Sequence, residues 1–82
     1  MSGFHYVYIL ASTAPAGHHY VGLSANLSAR LGQRNRGEVA HTAACSRWTI
    51  KTAIAFRDRQ RAAAFEQYLK SASGRAFAKK HL

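Results

Sequence analysis

Eighty-two residues with twelve Lys and Arg against three Asp and Glu carry a formal charge of +9 and a pI of about 10.7. A chain of that length is one domain, 1–82, without room for a separate recognition module, and its charge calls for a polyanionic partner, nucleic acid before an acidic membrane surface. One cysteine, Cys45, excludes an intrachain disulfide and a cysteine-rich zinc site. No apolar run approaches the roughly 20 residues of a membrane span, and no leader-like segment precedes the first strand, so a cytoplasmic setting is expected.

Residues 4–10 are aromatic and β-branched and predict a strand, with Phe4, Tyr6, Tyr8 and Leu10 on one face and His5, Val7 and Ile9 on the other. Ser12 to Gly17 contains the single proline and reads as a turn. Residues 18–23 predict the second strand of a hairpin; His18 and His19 are adjacent, point to opposite faces and cannot chelate one metal together. Ser24 or Asn26 can cap a helix over about 26–35, with Leu27 and Leu31 as its buried stripe and Arg30 and Arg34 on a neighbouring face. Asn35 to Thr42 reads as a loop. Residues 48–56 alternate, with Trp48, Ile50, Thr52, Ile54 and Phe56 expected on one face of a third strand. Asp58 can cap a helix over about 59–71 whose core stripe is Ala62, Phe65 and Leu69. Ser73 can cap a short last helix with Phe77 inside and Arg75, Lys79 and Lys80 outside. The order β-β-α-β-α-α predicts an α+β fold, a small three-stranded sheet covered by helices.

Several residues carry chemistry suited to a phosphodiester. Cleavage of that bond requires an activated nucleophile, a stabilised phosphorane-like charge and a protonated leaving group. A planar guanidinium such as Arg30 grips phosphate oxygens. Arg34 stands one turn further on, and an anion between the two would relieve the repulsion of like charges at i, i+4, about 0.2–0.5 kcal/mol. Glu66 is an isolated acid that can pair with Lys70 or hold a metal ion. With one carboxylate, the metal must draw its other ligands from water and substrate phosphate, which suits Mg²⁺. Tyr8 and Tyr20 can supply acid–base hydroxyls, although strand tyrosines are most often core. Gly22 permits close approach to its strand. His41 is a loop histidine that can act as a base or lie exposed.

Tyr6-Val7-Tyr8-Ile9-Leu10, Tyr20-Val21-Gly22, Arg30 eight residues beyond Gly22, Asn35 with Gly37, and the late Glu66-Gln67-Tyr68-Leu69-Lys70 resemble the GIY-YIG nuclease superfamily. The resemblance covers nearly the whole chain and is nearest to the small stand-alone bacterial branch, the YhbQ-like proteins. It implies a three-stranded antiparallel sheet flanked by helices. It further implies Tyr8 and Tyr20 as site tyrosines, Arg30 as the phosphate clamp and Glu66 as ligand of one divalent ion, Mg²⁺ or Mn²⁺. Gly22, Arg34, Asn35, His41 and Lys70 join these as candidate substrate contacts. Arg34 departs from the branch, where that helix position commonly holds histidine, and arginine cannot be a general base at neutral pH. Residues 43–47 also lack the basic, proline-containing segment often found before the third strand.

These features lead to a Mg²⁺- or Mn²⁺-dependent DNA endonuclease-like domain of low sequence specificity, acting on single-stranded, branched or duplex DNA or on RNA. A nucleic-acid-binding module that has lost catalysis through Arg34 is the alternative, and a basic adaptor for a protein partner is a third. Neither membrane nor zinc is expected to be involved.

Overall fold

Strand β1 (His5–Ala14) is apolar on both of its faces, and that pattern belongs in the middle of a sheet. It lies there: β2 (Ala16–Ser24) and β3 (Ser46–Phe56) flank it in the order β2-β1-β3, both antiparallel to it. Helix α1 (Leu27–Asn35) connects the hairpin to β3, and α2 (Arg59–Lys70) and α3 (Ala72–His81) complete the chain. The structure, a computed structural model, describes residues 3–14, 16–36 and 46–82. Glu38, His41, Thr42, Cys45 and most of the segment expected to form a loop fall outside these.

Alternation along β1 divides the core into two clusters. Val7 and Ile9 pack with Ala62 and Leu69 of α2, joined by Phe65, Phe77 and Ala78. Tyr8 and Leu10 pack on the other side with Trp48, beneath Tyr20, Leu27 and Leu31. The sheet is thus the middle of three layers, with α1 on one face and α2 and α3 on the other. Ring contacts bind the lower layer: Phe56 to Phe65 at 5.6 Å, Phe65 to Phe77 at 6.4 Å and Phe77 to His81 at 4.9 Å. Leu69 is fully enclosed, and truncation to alanine costs about 2–5 kcal/mol.

β3 differs from its expected single face. The register runs Ile9↔Thr52 and then Leu10↔Ile50, so Lys51 is an extra residue in a bulge. Before the bulge, Trp48 joins the Tyr8 cluster; after it, Phe56 joins the Val7 cluster. The apolar alternation survives the bulge, but the face it addresses is exchanged. The hairpin also departs from the expected Ser12–Gly17 turn. The strands continue to Ala14 and resume at Ala16, and Ser12 is buried within β1.

Asn26 caps α1 by accepting the Ala29 N–H at 3.0 Å, and its own N–H is bound by Ser24 Oγ. Asp58 caps α2 by accepting the N–H groups of Gln60 and Arg61. The last helix starts earlier than Ser73. Ser71 is its cap: the hydroxyl donates to the Tyr68 carbonyl at 2.6 Å and accepts the Gly74 N–H at 3.1 Å. Gly74 packs so closely on the Tyr68 carbonyl that any Cβ would overlap it. This contact sets the corner between α2 and α3. No helix among the described residues is long and apolar enough to cross a membrane.

Candidate active site and nucleic-acid interface

Tyr8 on β1 and Gly22 on β2 are directly paired, and Tyr20 pairs with Leu10 two residues along. The Tyr8 ring leans across Gly22. A Cβ at position 22 would overlap Tyr8 Oη and Cζ and come within 2.9 Å of Tyr20 Cε2. The glycine is therefore required by the side chain lying over it. The two tyrosine rings are 6.4 Å apart.

Arg34 descends on these tyrosines from α1. Its Cζ lies 3.6 Å from the Tyr20 ring centroid, and its Nη2 lies 3.5 Å from Tyr8 Oη, a long hydrogen bond donated by the guanidinium. The residue is 3% exposed and Tyr8 is 2% exposed. The expectation that Arg34 stands beside Arg30 on an open phosphate-binding face is corrected. Its position in the last turn of α1 aims it at the sheet, and the π face and phenol oxygen stabilise the buried cation. Arg30, nearer the start of α1, is half-buried, its N–H donating to the Asn26 carbonyl. Tyr20 is half-buried, so of the two tyrosines it is the more accessible.

Asn35 has a structural engagement. Its side-chain amide donates to the Trp48 carbonyl at 3.1 Å, and its Oδ1 accepts the Trp48 N–H. The amide mimics a neighbouring strand at the edge of β3, and so ties α1 to the sheet. Position 35 is the last helical residue of α1, where the expected helix over about 26–35 ends.

Glu66 lies in the other helical layer, on α2, where its side chain is only 16% exposed. Oε2 accepts from Lys70 Nζ at 3.2 Å, the i, i+4 pairing open to it from the sequence. Tyr8 and Arg34 lie between the sheet and α1, whereas Glu66 lies on the helix across the sheet. Tyr20, on edge strand β2, belongs to both sides: it packs in the Tyr8 cluster and also lines a cavity of about 630 Å³ bordered by Lys70 and Leu69 of α2.

Among the described residues no three His, Cys, Asp or Glu side chains converge on one metal position. Glu66 by itself fits a single hard ion. A carboxylate has about four lone-pair sites, and the Lys70 contact uses one oxygen. Mg²⁺ and ions like it take their remaining ligands from waters and substrate phosphates.

Lys51, Arg75 and Lys79 also line the cavity, and sequence reasoning had assigned them no role. Arg75 and Lys79, four apart, were visible as a cationic stripe. Lys51 was hidden because the bulge that reorients β3 leaves no mark in the hydrophobic pattern.

The model of the GIY-YIG catalytic domain matches residues 4–80. No curated protein and no solved structure matches the chain. The three-stranded antiparallel sheet and the β-β-α-β-α-α order agree with the family match, which extends over nearly the full length. The chain belongs to the GIY-YIG catalytic-domain family, whose members are typically nucleases acting on nucleic acids.

Proposed function

We propose that this chain is a divalent-metal-dependent DNA endonuclease-like domain that hydrolyses phosphodiesters with low sequence specificity in a cytoplasmic setting. The observation that carries the reading is the packing of Tyr8 and Tyr20 around Gly22 in a chain of this family, with Tyr20 reaching an accessible cavity beside α2. Tyr20 then provides the hydroxyl nearest to solvent. Tyr8, enclosed and held by Arg34, positions rather than meets substrate. Arg30 is the guanidinium available to a non-bridging phosphate oxygen, where it neutralises charge that grows as water attacks phosphorus. Glu66 would hold one Mg²⁺ or Mn²⁺, which supplies Lewis-acid stabilisation when bound. As the P–O bond breaks, the attacking water releases its proton to solvent, and the leaving oxygen gains one from the Tyr20 hydroxyl, the donor we assign, which solvent then reprotonates.

One observation favours a second reading. Arg34 packs over Tyr20 and against the Tyr8 hydroxyl, and an arginine does not serve as a general base at neutral pH. A nucleic-acid-binding module with weakened catalysis on the same fold follows from it. The two are separated by a panel of labelled single-stranded, duplex and branched DNA, incubated with and without Mg²⁺ or Mn²⁺. Metal-dependent cleavage lost in Glu66→Ala supports the nuclease. Salt-sensitive binding without cleavage under any metal supports the binding module.

A further inference from the structure

The cavity beside α2 combines two surfaces of different chemistry. Ile9, Val21, Leu69 and Ala78 form an apolar floor, and Tyr20 adds an aromatic side chain. His19, Lys51, Lys70, Arg75 and Lys79 supply its nitrogen-bearing rim. These rim residues come from every layer of that side: β2, the bulge of β3, the end of α2, and α3. Among the described residues no acid lines the cavity. Glu66 is connected to it through the Lys70 ion pair.

We propose that this cavity binds one unpaired nucleotide of a single-stranded nucleic acid, with its base on the apolar floor and its flanking phosphates on Lys51, Arg75 and Lys79. The assignment rests on the nucleic-acid reading above and narrows its substrate class. A volume of about 630 Å³ is that of a small-molecule site and admits a nucleobase with its sugar. Bases in a duplex are stacked and paired, and cannot enter without being extruded. An unpaired base can enter at no such cost, and strand-binding proteins commonly join a cationic track to an aromatic or apolar platform. A purely phosphate-binding surface would have no use for an apolar floor. With a net charge of +9, the chain also attracts the strand's backbone from a distance. Because Lys70 joins the cavity to Glu66, a strand seated there passes close to the carboxylate assigned to the metal.

The test uses the full chain in EDTA, so that binding is read without cleavage. Fluorescence anisotropy compares a labelled oligonucleotide of about 12 nucleotides, the corresponding duplex and an abasic strand of equal length, at several salt concentrations. Wild type should bind the single strand about ten-fold or more tighter than the abasic strand, since each stacked base contributes about 1–3 kcal/mol, and tighter than the duplex. Lys51→Ala, Arg75→Ala and Lys79→Ala combined should weaken binding at least ten-fold. They should also flatten the log–log salt slope by about 2, at about 0.7 per phosphate contact on single strands. A thermal melt verifies that this variant is folded; should it fail to fold, the abasic comparison on wild type decides alone. Equal affinity for the abasic and base-bearing strands overturns the cavity assignment, as does a folded triple variant with wild-type affinity and slope. In either case nucleic-acid binding itself stands. Wild type that ignores all three nucleic acids yet binds phosphatidylserine vesicles overturns both this assignment and the function proposed above.

Discussion

Arg34 lies over Tyr20, with its Cζ 3.6 Å from the ring centroid, and the same guanidinium reaches Tyr8 Oη at 3.5 Å. One buried cation thus orders both tyrosines of the family motif and seals the α1 side of the sheet. Arg34→Ala should destabilise the fold by about 2–4 kcal/mol, because a desolvated cation–π contact contributes about 2 kcal/mol and the packed stem adds to it. Denaturant melts measure this. Arg34→His should keep the fold and raise cleavage at neutral pH by placing a titratable imidazole beside the tyrosines. The salt slope of DNA binding should stay unchanged, since the buried guanidinium makes no phosphate contact to lose. A histidine variant that is no faster would show that position 34 is not a base site in this chain.

Gly22 has no space for a side chain under Tyr8. Gly22→Ala is expected to cost about 1–3 kcal/mol as an overpacked site. Tyr8→Phe removes Oη, the atom nearest the intruding methyl group. In a double-mutant cycle it should recover at least about 0.5 kcal/mol of the alanine penalty. Strict additivity of the two changes would mean that the ring does not lie across the glycine.

Glu66 and Lys70 form an i, i+4 pair whose contribution is small, about 0.3–0.5 kcal/mol, with the lysine end open to solvent. Glu66→Ala should therefore shift the melting temperature little. It should nevertheless abolish divalent-dependent cleavage while DNA binding in EDTA persists. Cleavage at the wild-type rate would remove Glu66 from the metal site.

Arg30 remains half-buried at the start of α1 while Arg34 is enclosed, so it is the arginine of this helix pair placed to meet phosphate. Arg30→Ala should lower the single-turnover rate by about 10²–10³, as expected for a group aimed at developing charge. Strongly weakened binding with an unaltered single-turnover rate would make it a ground-state phosphate contact instead.

Asn35 holds both backbone polar groups of Trp48 through one amide. Asn35→Ala leaves those groups without the amide and should cost about 1–3 kcal/mol. The loss should appear in chemical denaturation, with no change in the salt dependence of DNA binding. A flatter salt slope with intact stability would return Asn35 to the substrate surface.

The order of elements, the two faces of β1, the stripes of α1 and α2 and the Asp58 cap were all legible in the chain. Each is a local signal: a period of two or of 3.6, or a capping side chain beside the backbone groups it satisfies. The family pieces were legible too, because Tyr20, Gly22 and Arg30 keep their spacing whatever surrounds them. The choice of Ser71 over Ser73 as the cap of α3 was not, because it depends on Gly74 fitting against the Tyr68 carbonyl of another helix. Nor was the exchange of faces along β3. Alternation in sequence records that neighbouring residues differ in environment, but the bulge at Lys51 is set by pairing with β1. Arg34 is the clearest case. A lone helical arginine reads as solvated, and its burial requires a phenol and an aromatic face delivered by two strands distant in sequence. The residues with chemical potential were thus named by the chain itself. Which of them face a ligand, and which are used up in holding the others, was decided by long-range packing, because burial belongs to the assembled layers and not to any single segment.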